Sequence, residues 1–135
     1  MRGHILIVDD NPIDLKLVGE LLEVYGFKTD CVSDAEQAQC TLARMLPDLI
    51  VVDIALPGMD GLSLTRLVKA DARLRHVPVV ALTAFALRGD EQRAAAAGCD
   101  AYLTKPINMR EFGDQIASIM GTAEARRRNS SASVA

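Results

Sequence analysis

The chain has 135 residues, room for one ordinary domain but not two, and half of them are apolar while only 4% are aromatic. Its net charge is −3, and because Arg126, Arg127 and Arg128 near the end face a single acid, Glu124, residues 1 to 121 carry −5, from 12 basic and 17 acidic residues. An acidic, aromatic-poor body argues against nucleic-acid binding, the apolar runs are too short for a membrane span, and MRGHILIVDDNP is too short and too acidic for a secretion signal, so a soluble cytoplasmic protein is expected.

Short apolar runs alternate with helical patterns along the whole chain. Ile5-Leu6-Ile7-Val8 reads as a strand and runs straight into Asp9 and Asp10. Asn11-Pro12 then opens a helix, with Asn at the N-cap, Pro in the first turn, and Leu17, Val18, Leu21, Leu22 and Tyr25 on one face; Gly26 ends it. Lys28 to Val32 is a more polar strand, suited to a sheet edge. Ser33 with Glu36 has the spacing of a capping box, for a helix predicted to reach about Leu46.

Leu49-Ile50-Val51-Val52 has no polar alternation, as expected of a parallel strand covered on both faces, and it ends at Asp53. A loop, Ala55 to Gly61, leads into a helix with Leu64, Leu67 and Val68 inward. Val79-Val80-Ala81-Leu82 is a fourth strand, ending at Thr83, and residues 89 to 97 form an alanine-rich helix stopped by Gly98. Ala101-Tyr102-Leu103 is a short fifth strand that ends at Thr104-Lys105-Pro106. Asn108 and Glu111 cap a last helix with Met109, Phe112, Ile116, Ile119 and Met120 on one face. From Gly121 the composition turns to Ser, Ala and Arg, and residues 122–135 are expected to be a flexible tail after a domain of residues 1–121. Cys31, Cys40 and Cys99 fit neither a disulfide framework nor a zinc site and are expected to be small buried or half-buried hydrophobes.

Strand followed by helix, five times over, predicts an α/β fold with a five-stranded parallel sheet covered on both faces. All parallel strands point the same way, so Asp9, Asp10, Asp53, Thr83 and Lys105 gather at one sheet edge, where such folds bind ligands. In the flavodoxin-like strand order 2-1-3-4-5 the first and third strands are neighbours, and the three aspartates meet. Three carboxylates in one pocket need either protons or a cation. Hard oxygen donors suit Mg²⁺ or Mn²⁺, and with Lys105 and Thr83 beside them they suit a phosphoryl group held at Asp53. Taken singly each residue has a structural explanation: a helix cap, a loop acid, a strand threonine, a turn lysine.

These residues stand in motifs that resemble the receiver domain of two-component response regulators: VDD at 8–10, VVDIALPGMDG at 51–61, ALTAF at 81–85 and AYLTKPIN at 101–108. The likeness runs from about Ile5 to Met120, and TAFALRGDEQRAAAAGCDAYLTKPIN is similar to the DivK-type single-domain regulators of bacterial cell-cycle phosphorelays. The resemblance implies a CheY-like fold and a phosphoryl group passed from phosphohistidine onto Asp53. It implies Mg²⁺ held by Asp10, Asp53 and the Ala55 carbonyl, with Asp9 holding a metal-bound water. By the same resemblance Lys105, aimed through a cis bond to Pro106, neutralises phosphoryl charge, while Thr83 and Tyr102 form the switch. The readout face is then the fourth helix, fifth strand and fifth helix. Ala55 and Phe85 flank the path of the hydrolytic water, and since neither can orient water the phospho-state is expected to be long-lived.

The implied partners are a histidine kinase or histidine phosphotransferase and a downstream protein, with no nucleic acid and no membrane, for a monomer or weak dimer that catalyses only its own phosphorylation and dephosphorylation. A receiver cut from a larger regulator or hybrid kinase has the same motifs. A nucleotide-binding domain would want glycines where Asp-Asp-Asn-Pro stands, and a small aspartyl phosphatase would want a second acid at position 11, where Asn11 stands. A binding module that never uses phosphate has no need of Asp53, Thr83 and Lys105.

Overall fold

A computed structural model describes residues 3–56, 58–84 and 88–133. The strands are β1 (His4–Val8), β2 (Lys28–Val32), β3 (Leu49–Asp53), β4 (Val79–Thr83) and β5 (Ala101–Thr104). The helices are α1 (Pro12–Val24), α2 (Ala35–Leu42), α3 (Gly61–Ala70), α4 (Asp90–Ala97) and α5 (Met109–Ser133). The strands form one sheet in the order β2-β1-β3-β4-β5, and every pairing is parallel. This is the flavodoxin-like order predicted above, with the polar strand β2 at an edge.

Side chains of a strand point alternately to its two faces, and that alternation divides the core in two. Ile5, Ile7, Leu49, Val51, Val80 and Leu82 pack with α1 and α5 residues such as Val18, Leu22, Phe112 and Ile116. Leu6, Val8, Ile50, Val52 and Val79 pack on the other face with Ala38, Leu42, Leu64 and Val68 of α2 and α3. Ala81 meets Ala94 and Ala97 of α4, with Tyr102 against the same group. Every residue of β3 and β4 is buried, which is why neither strand shows polar alternation. The close seam between α1 and α5 depends on Gly113, where an added Cβ would fall 2.2 Å from the Tyr25 ring.

Several local expectations are corrected. The N-cap of α2 is Asp34, whose side chain accepts from Gln37 N–H at 2.7 Å, while Ser33 N–H donates back to Gln37 Oε1 at 3.1 Å. The reciprocal pair therefore sits one residue beyond Ser33 and Glu36, and α2 stops at Leu42 rather than Leu46. Leu67 on α3 is exposed; Leu64, Thr65 and Val68 face inward. Cys31 and Cys40 are exposed and only Cys99 is half-buried, all three as free thiols. The largest difference is in the length of α5, which continues as helix to Ser133 rather than ending near Gly121. Gly121 lies inside this helix, and its cost of about 1 kcal/mol relative to alanine is small beside the run of good helix formers that follows, Ala123-Glu124-Ala125-Arg126. Past the glycine, the Thr122 hydroxyl donates to the Ser118 carbonyl at 3.0 Å.

Candidate functional site

The C-terminal ends of β1, β3, β4 and β5 carry the polar residues, and strand phase decides which side of the sheet each one serves. Asp9 continues the series Ile5, Ile7; Asp53 continues Leu49, Val51; Lys105 continues Ala101, Leu103. All three series belong to the α1/α5 side. Thr83 continues Val79, Ala81, and Tyr102 packs with Ala81, so these two belong to the opposite, α4 side. The sheet register then closes the distances between strands: Asp53 pairs with Leu82, Thr83 pairs with Thr104, and Lys105 N–H donates to the Thr83 carbonyl at 2.8 Å.

Asp9, Asp10 and Asp53 each offer a carboxylate oxygen, and these three atoms lie within 4.8 Å of one another. Asp9 and Asp53 are buried and Asp10 is exposed, so the cluster is open on one side. Small all-oxygen sites of this kind suit Mg²⁺, which takes one or two carboxylates and keeps several waters. Each buried acid already has a backbone donor: Asn11 N–H to Asp9 Oδ1 and Ala55 N–H to Asp53 Oδ1, both at 2.9 Å. Their second oxygens face Lys105, whose Nζ lies 2.8 Å from Asp9 Oδ2 and 3.1 Å from Asp53 Oδ2. The Lys105–Pro106 bond is cis, as the family resemblance implied.

Lys105 has a third partner that the sequence reading missed. Its Nζ donates to Asp14 Oδ2 at 2.7 Å. Asp14 stands one turn ahead of Val18 on the buried stripe of α1, and an acid at the head of an apolar stripe is a signal that a charge partner waits there. Burial opposes the charge on Lys105, but its bonds to Asp14, Asp9 and Asp53 outweigh that and raise it above the ordinary lysine value.

Burial pushes the Asp9 carboxyl up, and the bonds from Lys105 and from Asn11 N–H only partly pull it back. A folded value above the unfolded one means that the native state holds the proton more tightly. Ionised Asp9 therefore costs stability, and the cost grows as pH rises from the unfolded value through the folded one. In chelator at neutral pH, Asp9→Asn is expected to raise Tm by roughly 3–5 °C, the shift that about 1 kcal/mol produces in a domain of this size. Mg²⁺ should raise the wild-type Tm by linkage and that of the variant by less. Thermal unfolding with and without millimolar Mg²⁺ checks both; a variant that melts lower in chelator counts against a strained acid cluster.

Thr83 is 2% exposed. Tyr102 is half-buried among α4 residues, and its buried hydroxyl has no hydrogen-bond partner among the described residues. Ala55 is exposed on the loop after β3, with its N–H on Asp53. Phe85 lies outside the described residues. Among the described residues, no helix is long and apolar enough to cross a membrane.

Residues 5–117 match the response regulator receiver domain family. The chain is 42% identical to the polar-differentiation response regulator DivK of Brucella ovis over 123 residues, 91% of this chain and the whole of that protein. Among solved structures, the signal receiver domain of a signal transduction histidine kinase from Syntrophus aciditrophicus superposes with a TM-score of 0.83 at 32% identity, covering 89% of this chain and 91% of that one. The receiver domain of a sensor histidine kinase from Pseudomonas aeruginosa gives 0.81 at 36% identity, covering 88% and 98%; that protein has a magnesium ion coordinated in its active-site cleft.

Proposed function

We propose that this chain, which belongs to the response regulator receiver domain family of two-component signalling, takes a phosphoryl group from phosphohistidine onto Asp53 and signals through protein contacts. The observation that carries this reading is the placement of Asp53 within reach of both the three-carboxylate cluster and Lys105. One oxygen of Asp53 attacks phosphorus in line. The phosphorus–nitrogen bond of the donor breaks, and its electron pair stays on the departing imidazole.

Asp10, Asp53 and the Ala55 carbonyl would hold Mg²⁺, or Mn²⁺ in its place, with Asp9 on a bound water; the ion when bound offsets negative charge on the carboxylates and on the phosphoryl oxygens. Ala55 N–H fixes one Asp53 oxygen and so orients the carboxylate. Lys105 already faces the other oxygen and neutralises charge that develops on the phosphoryl group. The methyl of Ala55 cannot hydrogen-bond an attacking water, which favours slow loss of the phosphoryl group. The receiver unit is residues 1–121, and the donors are a histidine kinase or a histidine phosphotransferase.

The direct test combines protein, Mg²⁺ and a phosphorylated histidine kinase, then reduces the product with borohydride and maps the peptides. The mark is expected at position 53; a mark at another aspartate or glutamate removes Asp53 from the acceptor role.

Thr83 and Tyr102 share the α4 side of the sheet, and we read them as the link from Asp53 to the face formed by α4, β5 and α5. A phosphoryl group supplies strong acceptors for the Thr83 hydroxyl, and a coupling of about 1–3 kcal/mol changes partner affinity roughly 5- to 150-fold. Thr83→Ala should still be phosphorylated yet lose most of that change. Binding of a downstream partner to phosphorylated and unphosphorylated variant measures it, and a full response in the variant assigns the coupling to another residue.

A further inference from the structure

Lys105 enters the site with its hydrogen bonds fully committed. An ammonium has three N–H donors, and here they go to Asp14 at 2.7 Å, Asp9 at 2.8 Å and Asp53 at 3.1 Å. The shortest of the three goes to the one carboxylate outside the cluster that could hold a metal. Asp14 also comes from a different kind of element: the other two acids end strands, whereas Asp14 rides on the first turn of α1. When a cation engages Asp9 and Asp53, those oxygens become weaker acceptors for the lysine, while Asp14 keeps its full charge. The balance then favours the α1 side.

The charge count points the same way. Asp9, Asp10, Asp14 and Asp53 face one ammonium, and a divalent cation leaves the group one negative charge in excess. Transfer of a phosphoryl group adds more negative charge. Without Asp14 the cation and the lysine would balance the remaining acids before transfer.

We infer that Asp14 is a positioning residue that, once a cation engages Asp9 and Asp53, holds Lys105 toward the α1 side of the cleft, so drawing the ammonium away from those two carboxylates and slowing capture of a phosphoryl group by Asp53. The inference rests on Asp53 being the acceptor. It makes two effects of opposite sign. Loss of the tether lets Lys105 compete with Mg²⁺ for Asp9 and Asp53 and lowers the negative charge of the site, so Mg²⁺ binds more weakly. Once Mg²⁺ is saturating, the freed ammonium is available to the incoming phosphoryl group, so loading is faster. A role in packing alone would not separate the two.

The test uses the whole chain, Mg²⁺ titration by calorimetry, and the initial rate of labelling by acetyl phosphate. In that reaction an Asp53 oxygen bonds to phosphorus, and acetate leaves with the electron pair of the broken phosphorus–oxygen bond. For Asp14→Asn, the Mg²⁺ Kd is expected to rise about 3- to 10-fold, and labelling at saturating Mg²⁺ to accelerate about 3- to 10-fold. Asp14→Ala should move both readouts in the same directions, and Asp14→Glu, which keeps a carboxylate within reach of a flexible lysine, should restore both toward wild type. Labelling of the two neutral variants no faster than wild type, unchanged or tighter Mg²⁺ binding, or a glutamate variant that behaves like the asparagine one overturns the tether. If the wild type itself labels at Asp53 in the same assay, such a result removes only the role of Asp14; if the wild-type label lies elsewhere, the acceptor reading falls and the tether with it.

Discussion

Asp53→Asn is expected to fold as the wild type does and to take up no phosphoryl group from either phosphohistidine or acetyl phosphate. The change is nearly isosteric at a position that is 7% exposed, so it opens no cavity. The amide oxygen can still accept from Ala55 N–H, as Asp53 Oδ1 does at 2.9 Å. Its NH₂ would then face the Lys105 ammonium, donor against donor, but Lys105 keeps Asp9 and Asp14, and the cluster loses one of its mutually repelling charges. These opposing effects leave stability close to that of wild type. The chemistry has no such compensation. A neutral amide lacks the oxygen nucleophile that attacks phosphorus, and removal of an essential nucleophile costs at least roughly 10³-fold in rate. Intact mass after incubation with Mg²⁺ and acetyl phosphate reads the result directly. Wild-type labelling of the variant would falsify the assignment of Asp53.

The second large effect is structural and falls at Gly61. This residue opens α3, and its N–H donates to the Ile54 carbonyl at 2.9 Å. A Cβ added there would lie 2.2 Å from the Asp53 carbonyl oxygen, 2.9 Å from the Asp53 carbonyl carbon and 3.0 Å from Ile54 Cα. All three are backbone atoms, so no side-chain rotation relieves the contact, and either α3 or the end of β3 must move. Overpacking in a well-filled region costs about 1–3 kcal/mol and occasionally more, and a clash with immobile backbone belongs at the upper end. Gly61→Ala is therefore expected to lower Tm by roughly 10 °C or more. Because the displaced segment carries Asp53, phosphoryl uptake and the Mg²⁺-dependent rise in Tm should fall with it. Gly121→Ala is the control: among the described residues nothing lies within 4 Å of its added Cβ. There alanine should gain up to about 1 kcal/mol of helix propensity. Thermal unfolding of both variants separates close approach from any general effect of replacing glycine. An unchanged Tm for Gly61→Ala would show that the α3 seam is looser than 2.2 Å allows.

The amino-acid order by itself determined the element sequence and the sheet. Four-residue apolar runs such as Leu49 to Val52 cannot be satisfied except between two covered faces, and alternating helices leave only parallel crossovers. It also determined which residues end the strands, so Asp9, Asp10, Asp53, Thr83 and Lys105 could be gathered at one edge before any distance was known. Helix ends were less legible. Serine and aspartate side by side at 33 and 34 are both good caps, and only the hydrogen bond from Gln37 N–H to the side chain of Asp34 chooses between them. The end of α5 was no more legible: the turn to Ser, Ala and Arg after Gly121 reads as a tail, yet Ala123 to Arg128 can continue a helix and α5 runs to Ser133.

Tertiary structure alone decided the partition of the site. The strand-end residues form two groups because strand phase sends Asp9, Asp53 and Lys105 to the α1/α5 side and Thr83 and Tyr102 to the α4 side. It also decided the partners of Lys105. Asp14 lies 91 residues from Lys105 in the chain. The local pattern shows Asp14 as an acid in the first turn of α1 at the head of its apolar stripe, which signals a charge partner without saying which one. The fold brings the first turn of α1 and the end of β5 to the same edge of the sheet and makes it the nearest of three carboxylates to one ammonium, an identity that depends on distances between elements rather than on any spacing within one.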